Sequence, residues 1–189
     1  PLALKAKLAS VYQPILRDEV TPDFPSLMTV TPNRIEQTAP GHRPGTERAQ
    51  TITFTHDVSV VLARLVRTAA SGQCGCWIRN TIADAIEAVQ WLSERGLRPK
   101  LFHARFVLGH RLAIESEVLR LVGKSSTHAS RAGTVVVSTQ VIEQSVDVDF
   151  DELVTDIAPI DLLIQRAGRH RRHPRDVNGN PAARDFRGA

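Results

Sequence analysis

Val135-Val136-Val137-Ser138-Thr139-Gln140-Val141-Ile142-Glu143-Gln144-Ser145-Val146-Asp147-Val148-Asp149-Phe150-Asp151 is a β-branched apolar run that breaks into a polar loop. Gly133 introduces the run, and Thr134 to Ser138 reads as a buried parallel strand, because a strand covered on both faces loses the apolar and polar alternation of a half-exposed one. The polar residues that follow then lie at its carboxyl end. In open α/β sheets ligands bind in the crevice outside such ends, so Ser138, Thr139 and Asp147 are placed where ligand contacts are expected.

Glu152 to Asp156 is a second short strand on the carboxyl side. Upstream, Thr51 to Phe54 reads as a strand and Val58 to Ala70 as a helix with Val60, Val61, Leu65 and Val66 on or near its apolar face. Cys74 to Ile78 is a strand, and Asn80 can cap a helix from Thr81 to Glu94 that stops at Gly96. Lys100 to His103 is the next strand, and Leu108 to Val122 a helix ending at Gly123. Strands and helices thus alternate after residue 50, the signature of an α/β fold with a mostly parallel sheet flanked by helices. Five strands with intervening helices fit a RecA-like sheet, whose strand order periodicity does not reveal.

Further along, the apolar Ile160, Leu162, Leu163 and Ile164 would anchor the start of a helix in the core. Gln165-Arg166-Ala167-Gly168-Arg169-His170-Arg171-Arg172 follows, with positions 165, 168, 169 and 172 on one face at helical spacing. Guanidinium groups there suit phosphate, which they meet with paired hydrogen bonds, and Gly168 permits close approach of a backbone or ligand. The competing reading is a solvated basic helix end, which the helix dipole favours anyway.

The 189 residues can bury one sizeable core. The net charge is +4, and residues 165–189 carry seven Arg against Asp176 and Asp185, so the basic excess is entirely carboxyl-terminal. Such a patch attracts nucleotide or nucleic-acid phosphate in a salt-dependent way. From Arg175 onward, Pro174, Gly179, Pro181 and Gly188 suggest an unordered tail, so residues 51–173 form the expected domain and 174–189 a basic extension. Residues 1–50 read as a connector: a cationic helix-like piece from Leu2 to Leu16, then a Pro- and Gly-containing stretch, partly loop or disordered. No apolar stretch approaches the roughly 18 residues of a membrane span, and the start lacks a signal-peptide layout, so a cytoplasmic location without membrane contact is expected. Cys74 and Cys76 read as strand residues, being too few for a disulfide framework or a zinc signature.

Thr139 to Asp147 resembles motif V of superfamily 2 helicases, and Gln165 to Arg172 matches the Gln-x-x-Gly-Arg-x-x-Arg of motif VI. The wording is closer to one branch. Ser138 to Asp151, Ala158 to Arg169, Cys76 to Thr81 and Leu101 to Phe106 resemble the helicase part of the CRISPR-associated helicase–nuclease of type I systems, densely from about Gly75 to His173. The resemblance implies the second RecA-like domain of an ATP-driven translocase on single-stranded DNA, acting in antiviral defence with an RNA-guided CRISPR surveillance complex. Its nuclease would reside in a separate His-Asp domain. Nothing here resembles a Gly-x-x-x-x-Gly-Lys-Ser/Thr phosphate loop or an Asp-Glu pair that would hold magnesium, so ATP and Mg would be held mainly by a first RecA-like domain of the same parent protein. Pro1 is then expected to be an internal cut point, and the isolated chain to be nearly inactive.

Under this resemblance Arg169 and Arg172 are the expected arginine fingers, with Gln165 and Gly168 at the nucleotide and Asp147 at its ribose. Thr139, Arg105, Asn80 and Thr81 follow predicted strands, where they could hold DNA backbone phosphates; Asn80 and Thr81 have rival roles at the start of a helix. Asp147, Asp149 and Asp151 alternate as one polar strand face. A calcium loop would need Gly and Glu where Glu152 and Ala158 stand, so no metal site is expected there, nor zinc at His103, His110, His170 and His173. Ser145 stands where many superfamily relatives have Gly. Two other readings stay open: a non-catalytic nucleic-acid or partner-binding module, and a motor domain from another superfamily 2 branch.

Overall fold

The computed structural model describes residues 26–31, 34–39, 49–143 and 146–182. The expected Leu2 to Leu16 helix and Ser145 lie outside them. The chain divides into two compact units, residues 1–53 and 54–189. In the first, β1 (Leu27–Thr31) pairs antiparallel with β2 (Arg34–Thr38), from Leu27 opposite Thr38 to Thr31 opposite Arg34. This hairpin was not expected from the sequence.

The second unit alternates α1 (Val58–Ala70), β3 (Gly75–Ile78), α2 (Ile82–Ser93), β4 (Lys100–Phe102), α3 (Leu108–Val122), the one-turn α4 (His128–Arg131), β5 (Val135–Ser138), β6 (Glu152–Thr155) and α5 (Ile160–Ala167). Its sheet is wholly parallel in the order β4-β5-β3-β6. The two apolar strands, β3 and β5, are central and buried throughout, while the more polar β6 takes one edge. Alternation divides the core in two. Cys76, Ile78 and Val136 pack with Val118 and Val122 of α3 and with Phe150, whereas Trp77, Val135 and Val137 pack with Leu62 and Leu65 of α1 and Leu92 of α2. Each fully buried aliphatic side chain contributes about 1.5–3 kcal/mol.

Several expectations are corrected. Thr51 to Phe54 is irregular rather than a strand, and Ile52 and Phe54 stay exposed. Among the described residues the sheet has four strands, not five. On α1 the buried face runs through Leu62, Leu65 and Thr68, leaving Val60 exposed. Thr81, not Asn80, caps α2, accepting the Asp84 amide at 3.1 Å. Ile160 and Ile164 are exposed and do not anchor α5 in the core. The helix closes at Gly168, so Arg169 and Arg172 lie in the following turn rather than on a continuing helical face. Arg175 to Ala182 is folded rather than unordered: Arg175 bridges to Pro181, and Asn180 accepts the His128 amide at 3.0 Å.

Candidate functional site

The parallel sheet brings four strand ends into one row. His103 and Arg105 follow β4, Thr139 follows β5, Arg79 and Asn80 follow β3, and Asp156 follows β6. Their loops are stitched together by backbone bonds: Arg79 N–H donates to Ser138 O at 2.8 Å, Asp156 N–H to Ile78 O at 3.0 Å, and Thr139 N–H to Phe102 O at 3.3 Å. Asp156 Oδ2 accepts from Arg79 Nε at 2.9 Å and from the Asn80 amide at 3.0 Å. The Arg79 guanidinium lies 4.7 Å over the Trp77 ring, which fixes the exit of β3.

Arg166 ties this row to α5. Its side chain and that of Glu143 are each 1% exposed, with Arg166 Nε donating to Glu143 Oε1 at 2.7 Å. Arg166 Nη1 also donates to Thr155 Oγ1 at 2.7 Å and to Asp156 O at 3.2 Å, and both terminal nitrogens reach Asn80 Oδ1 at 3.2 Å. Asn80 Nδ2 donates to Ile157 O at 2.8 Å, so both ends of its amide are committed within the protein. Neither Arg166 nor Glu143 stood among the expected site residues. One signal was available: Arg166 falls off the exposed face at 165, 168, 169 and 172, and an arginine turned toward a core requires an acidic partner.

Arg169 Nη2 donates to Glu143 O at 2.6 Å and Nε to Ile142 O at 3.2 Å, clasping the short 3-10 turn Gln140–Ile142 after β5. Its pKa is lowered, by burial first and then by the Arg172 charge, with Asp147 opposing. Arg172 Nε pairs with Asp147 Oδ1 at 2.9 Å in an open setting, the side chains being 40% and 48% exposed. His173 Nε2 meets the same oxygen at 3.0 Å; burial lowers the His173 pKa against the pull of Asp147 and Asp149.

The expected residues therefore form two neighbouring groups. Arg169, Arg172 and Asp147 cluster beside the turn after α5, with Gln165 and Gly168 exposed at the end of that helix. Thr139, Asn80, Thr81 and Arg105 sit along the strand ends. Arg105 is exposed there, its amide donating to His103 Nδ1 at 3.2 Å; Thr139 is buried, and the Thr81 hydroxyl is occupied as a cap. The three aspartates are not one strand face: Asp149 is buried while Asp147 and Asp151 are partly exposed. Asp149 and Asp151 take Arg175 and Arg131 at 3.0 Å each. Asp151 Oδ2 also accepts the Cys74 amide at 2.9 Å.

A parallel α/β unit with arginines gathered beside its strand ends is the class of domain from which helicase motors are built, and the comparisons narrow it. Residues 71–175 match the family described as CRISPR-associated nuclease/helicase Cas3, C-terminal. The chain belongs to this Cas3 family. It is 42% identical over 118 residues to the CRISPR-associated endonuclease/helicase Cas3 of Escherichia coli, covering 61% of this chain and 13% of that protein. With the Cas3 of Thermus thermophilus it shares 44% over 115 residues, 60% of this chain and 12% of that protein. The chain thus spans only a small part of these relatives.

Among solved structures, a crystal structure of a CRISPR-associated protein superposes with a TM-score of 0.78 at 27% identity, covering 94% of this chain and 21% of the other. T. fusca Cas3 with AMPPNP gives a TM-score of 0.66 at 31% identity, over 82% of this chain and 19% of that one. A chain of a CRISPR RNA-guided surveillance complex in its pre-nicking state gives 0.54 at 34%, over 66% and 16%. No helix among the described residues is long and apolar enough to cross a membrane.

Proposed function

We propose that this chain is the second motor domain of an ATP-dependent translocase on single-stranded DNA, acting in the cytoplasm in CRISPR antiviral defence, and that Arg169 and Arg172 meet ATP held mainly by a first RecA-like domain of the same parent protein. The observation that carries this reading is the pairing of an open, ion-paired Arg172 with a clasped Arg169 beside the strand ends, in a chain similar to a Cas3 structure with AMPPNP.

Catalysis of phosphoryl transfer is mainly positioning and charge stabilisation, and an arginine at the transferred group contributes roughly 10³–10⁵ in rate. Domain closure would let Arg172 exchange Asp147 for phosphate oxygens. Gln165 and the exposed backbone at Gly168 would line the nucleotide, and Asp147, once released, would be free to accept from a ribose hydroxyl. Any Mg would be bound with the phosphates by the first domain and supply charge neutralisation there. Arg105 and Thr139 would meet the DNA backbone, with Asn80 and Thr81 shaping the loop between them. The partner that brings the motor to DNA would be an RNA-guided surveillance complex, as the similarity to a chain of such a complex supports.

Alone, the chain should hydrolyse almost no ATP. The decisive test is DNA-stimulated ATPase of the full-length parent, wild type against Arg169→Ala and Arg172→Ala, with DNA binding measured in parallel. Collapse of hydrolysis with binding retained is the expected result. Loss of binding with unchanged hydrolysis per bound complex would make the arginines a DNA patch instead.

A further inference from the structure

The turn that carries Arg172 is held in a strained shape by groups that the proposed ATP chemistry leaves unused. Arg171 has φ 47°, and among the described residues no other non-glycine has a positive φ; an L residue there costs roughly 1–2 kcal/mol. Its amide donates to Phe150 O at 2.8 Å, and the Phe150 amide donates to Arg169 O at 3.0 Å. The next amide, that of Arg172, donates to Asp149 Oδ1 at 2.6 Å. The other oxygen of Asp149 accepts from Arg175 Nε at 3.0 Å, with Arg131 Nη1 at 3.5 Å.

Asp149 is 1% exposed, and a carboxylate so placed costs several kcal/mol to desolvate unless it is paired. Arg131 Nη1 also donates to the Asp149 carbonyl at 2.8 Å, which fixes the backbone that carries the carboxylate. The two oxygens thus grip both ends of the segment 172–175, one by a backbone amide and one by a side chain. The Arg172 guanidinium itself remains substantially exposed. A rigid base under an exposed cationic arm is what delivery of a charge to a fixed point requires.

We infer that Asp149 is a positioning residue for Arg172: its buried carboxylate, locked by Arg131 and Arg175, pins the Arg172 amide and sets where the Arg172 guanidinium is delivered. The inference rests on the reading of Arg172 as an arginine that meets ATP. Displacing a catalytic group by about 1 Å costs on the order of 10²-fold in rate, and the loss falls on kcat because the ground-state contacts to DNA lie elsewhere.

The experiment is a double-mutant cycle in the full-length parent, measuring ATP hydrolysis at saturating ATP and single-stranded DNA for wild type, Asp149→Asn, Arg172→Ala and the double variant. Asp149→Asn keeps the shape but turns an amide N–H₂ toward either the Arg172 amide or Arg175 Nε. Its kcat should fall about 10²-fold, with the DNA concentration for half-maximal stimulation unchanged. In the Arg172→Ala background the same substitution should cost nothing further.

An equal loss in both backgrounds, or no loss in wild type, overturns the inference while leaving the reading of Arg172 intact. If Arg172→Ala alone leaves kcat unchanged, the reading itself fails and the inference with it. Should Asp149→Asn not fold, Arg175→Gln takes its place in the cycle; if that also does not fold, the network serves only the fold and the inference is overturned.

Discussion

Replacing Arg166 with Ala would remove one half of a buried ion pair and leave the other in place. Glu143, its side chain 1% exposed, would be left without its cationic partner in a site shaped to exclude water, and Asn80 Oδ1 and Thr155 Oγ1 would lose their donors. Breaking a buried pair from one side costs about 3–5 kcal/mol. At about 1.4 kcal/mol per decade, that is roughly two to four decades in the equilibrium for opening this region. Hydrogen exchange of the β6 and α5 amides in the full-length parent measures it directly, because Arg166 ties α5 to the end of β6 and to the loop after β5. The companion variant is Arg166→Met with Glu143→Leu, which removes both charges and restores apolar volume. Since apolar replacement of a buried pair is often near neutral, it should recover most of the loss, short of the bonds to Asn80 and Thr155 at about 1 kcal/mol each. A loss below about 1 kcal/mol in the single variant, or equal losses in single and double variants, would refute the claim that a desolvated charge pair holds this junction.

Two further perturbations have definite signs. His103 and His173 both have lowered pKa values, through burial first in each case; the unfolded chain then takes up protons before the folded one. Their stabilising contribution is fully present above the ordinary value of 6.5 and is lost as pH falls below it toward the folded values. Imidazole NMR titrations should give midpoints below 6.5 for both, and a midpoint at or above that value for either would contradict its described burial. Burial pushes the Cys74 thiol up to about 12 and raises that of Cys76 as well. A thiol reagent at pH 8 should leave the peptide carrying both unlabelled in the folded parent and label it after unfolding; rapid labelling of the native protein would show that β3 is not central.

The central sheet was legible in the sequence because its information is local. Val135 to Val137 and Cys76 to Ile78 are apolar without alternation, which only a strand covered on both faces tolerates, and Gly123 ends α3 where the reading placed it. What escaped depends on distant residues. Arg166 is buried because Glu143 and Asn80, 23 and 86 positions away, meet it. Asp149 looked like its neighbours Asp147 and Asp151, yet it alone is buried, since α4 and the segment after Arg172 deliver Arg131 and Arg175 to it. The helix ending was misread for a related reason. The spacing of 165, 168, 169 and 172 fits a helical face, but the Arg171 amide finds Phe150 O rather than the carbonyl four residues back. A tertiary bridge competes there with helix continuation and wins.

The arginines of this region differ in how much must be broken to move them, and that difference separates the two expected fingers. Arg131 and Arg166 are buried against carboxylates, so moving either would uncover a charge at a cost of several kcal/mol. Arg169 donates through two guanidinium nitrogens to backbone carbonyls of the turn after β5; a shift would break both bonds and loosen the loop that also carries Glu143. While the Arg172 amide stays pinned to Asp149, its guanidinium is held by an open pair with Asp147, the kind of interaction that contributes about 0–1 kcal/mol. Exchanging that carboxylate for a phosphate oxygen therefore meets little resistance. If the proposed roles hold, Arg172 should be the finger that swings and Arg169 the one that stays, so Arg172→Ala should leave the loop intact and lower kcat alone. Arg169→Ala should also raise hydrogen exchange across residues 140–143, and equal exchange in the two variants would remove the distinction.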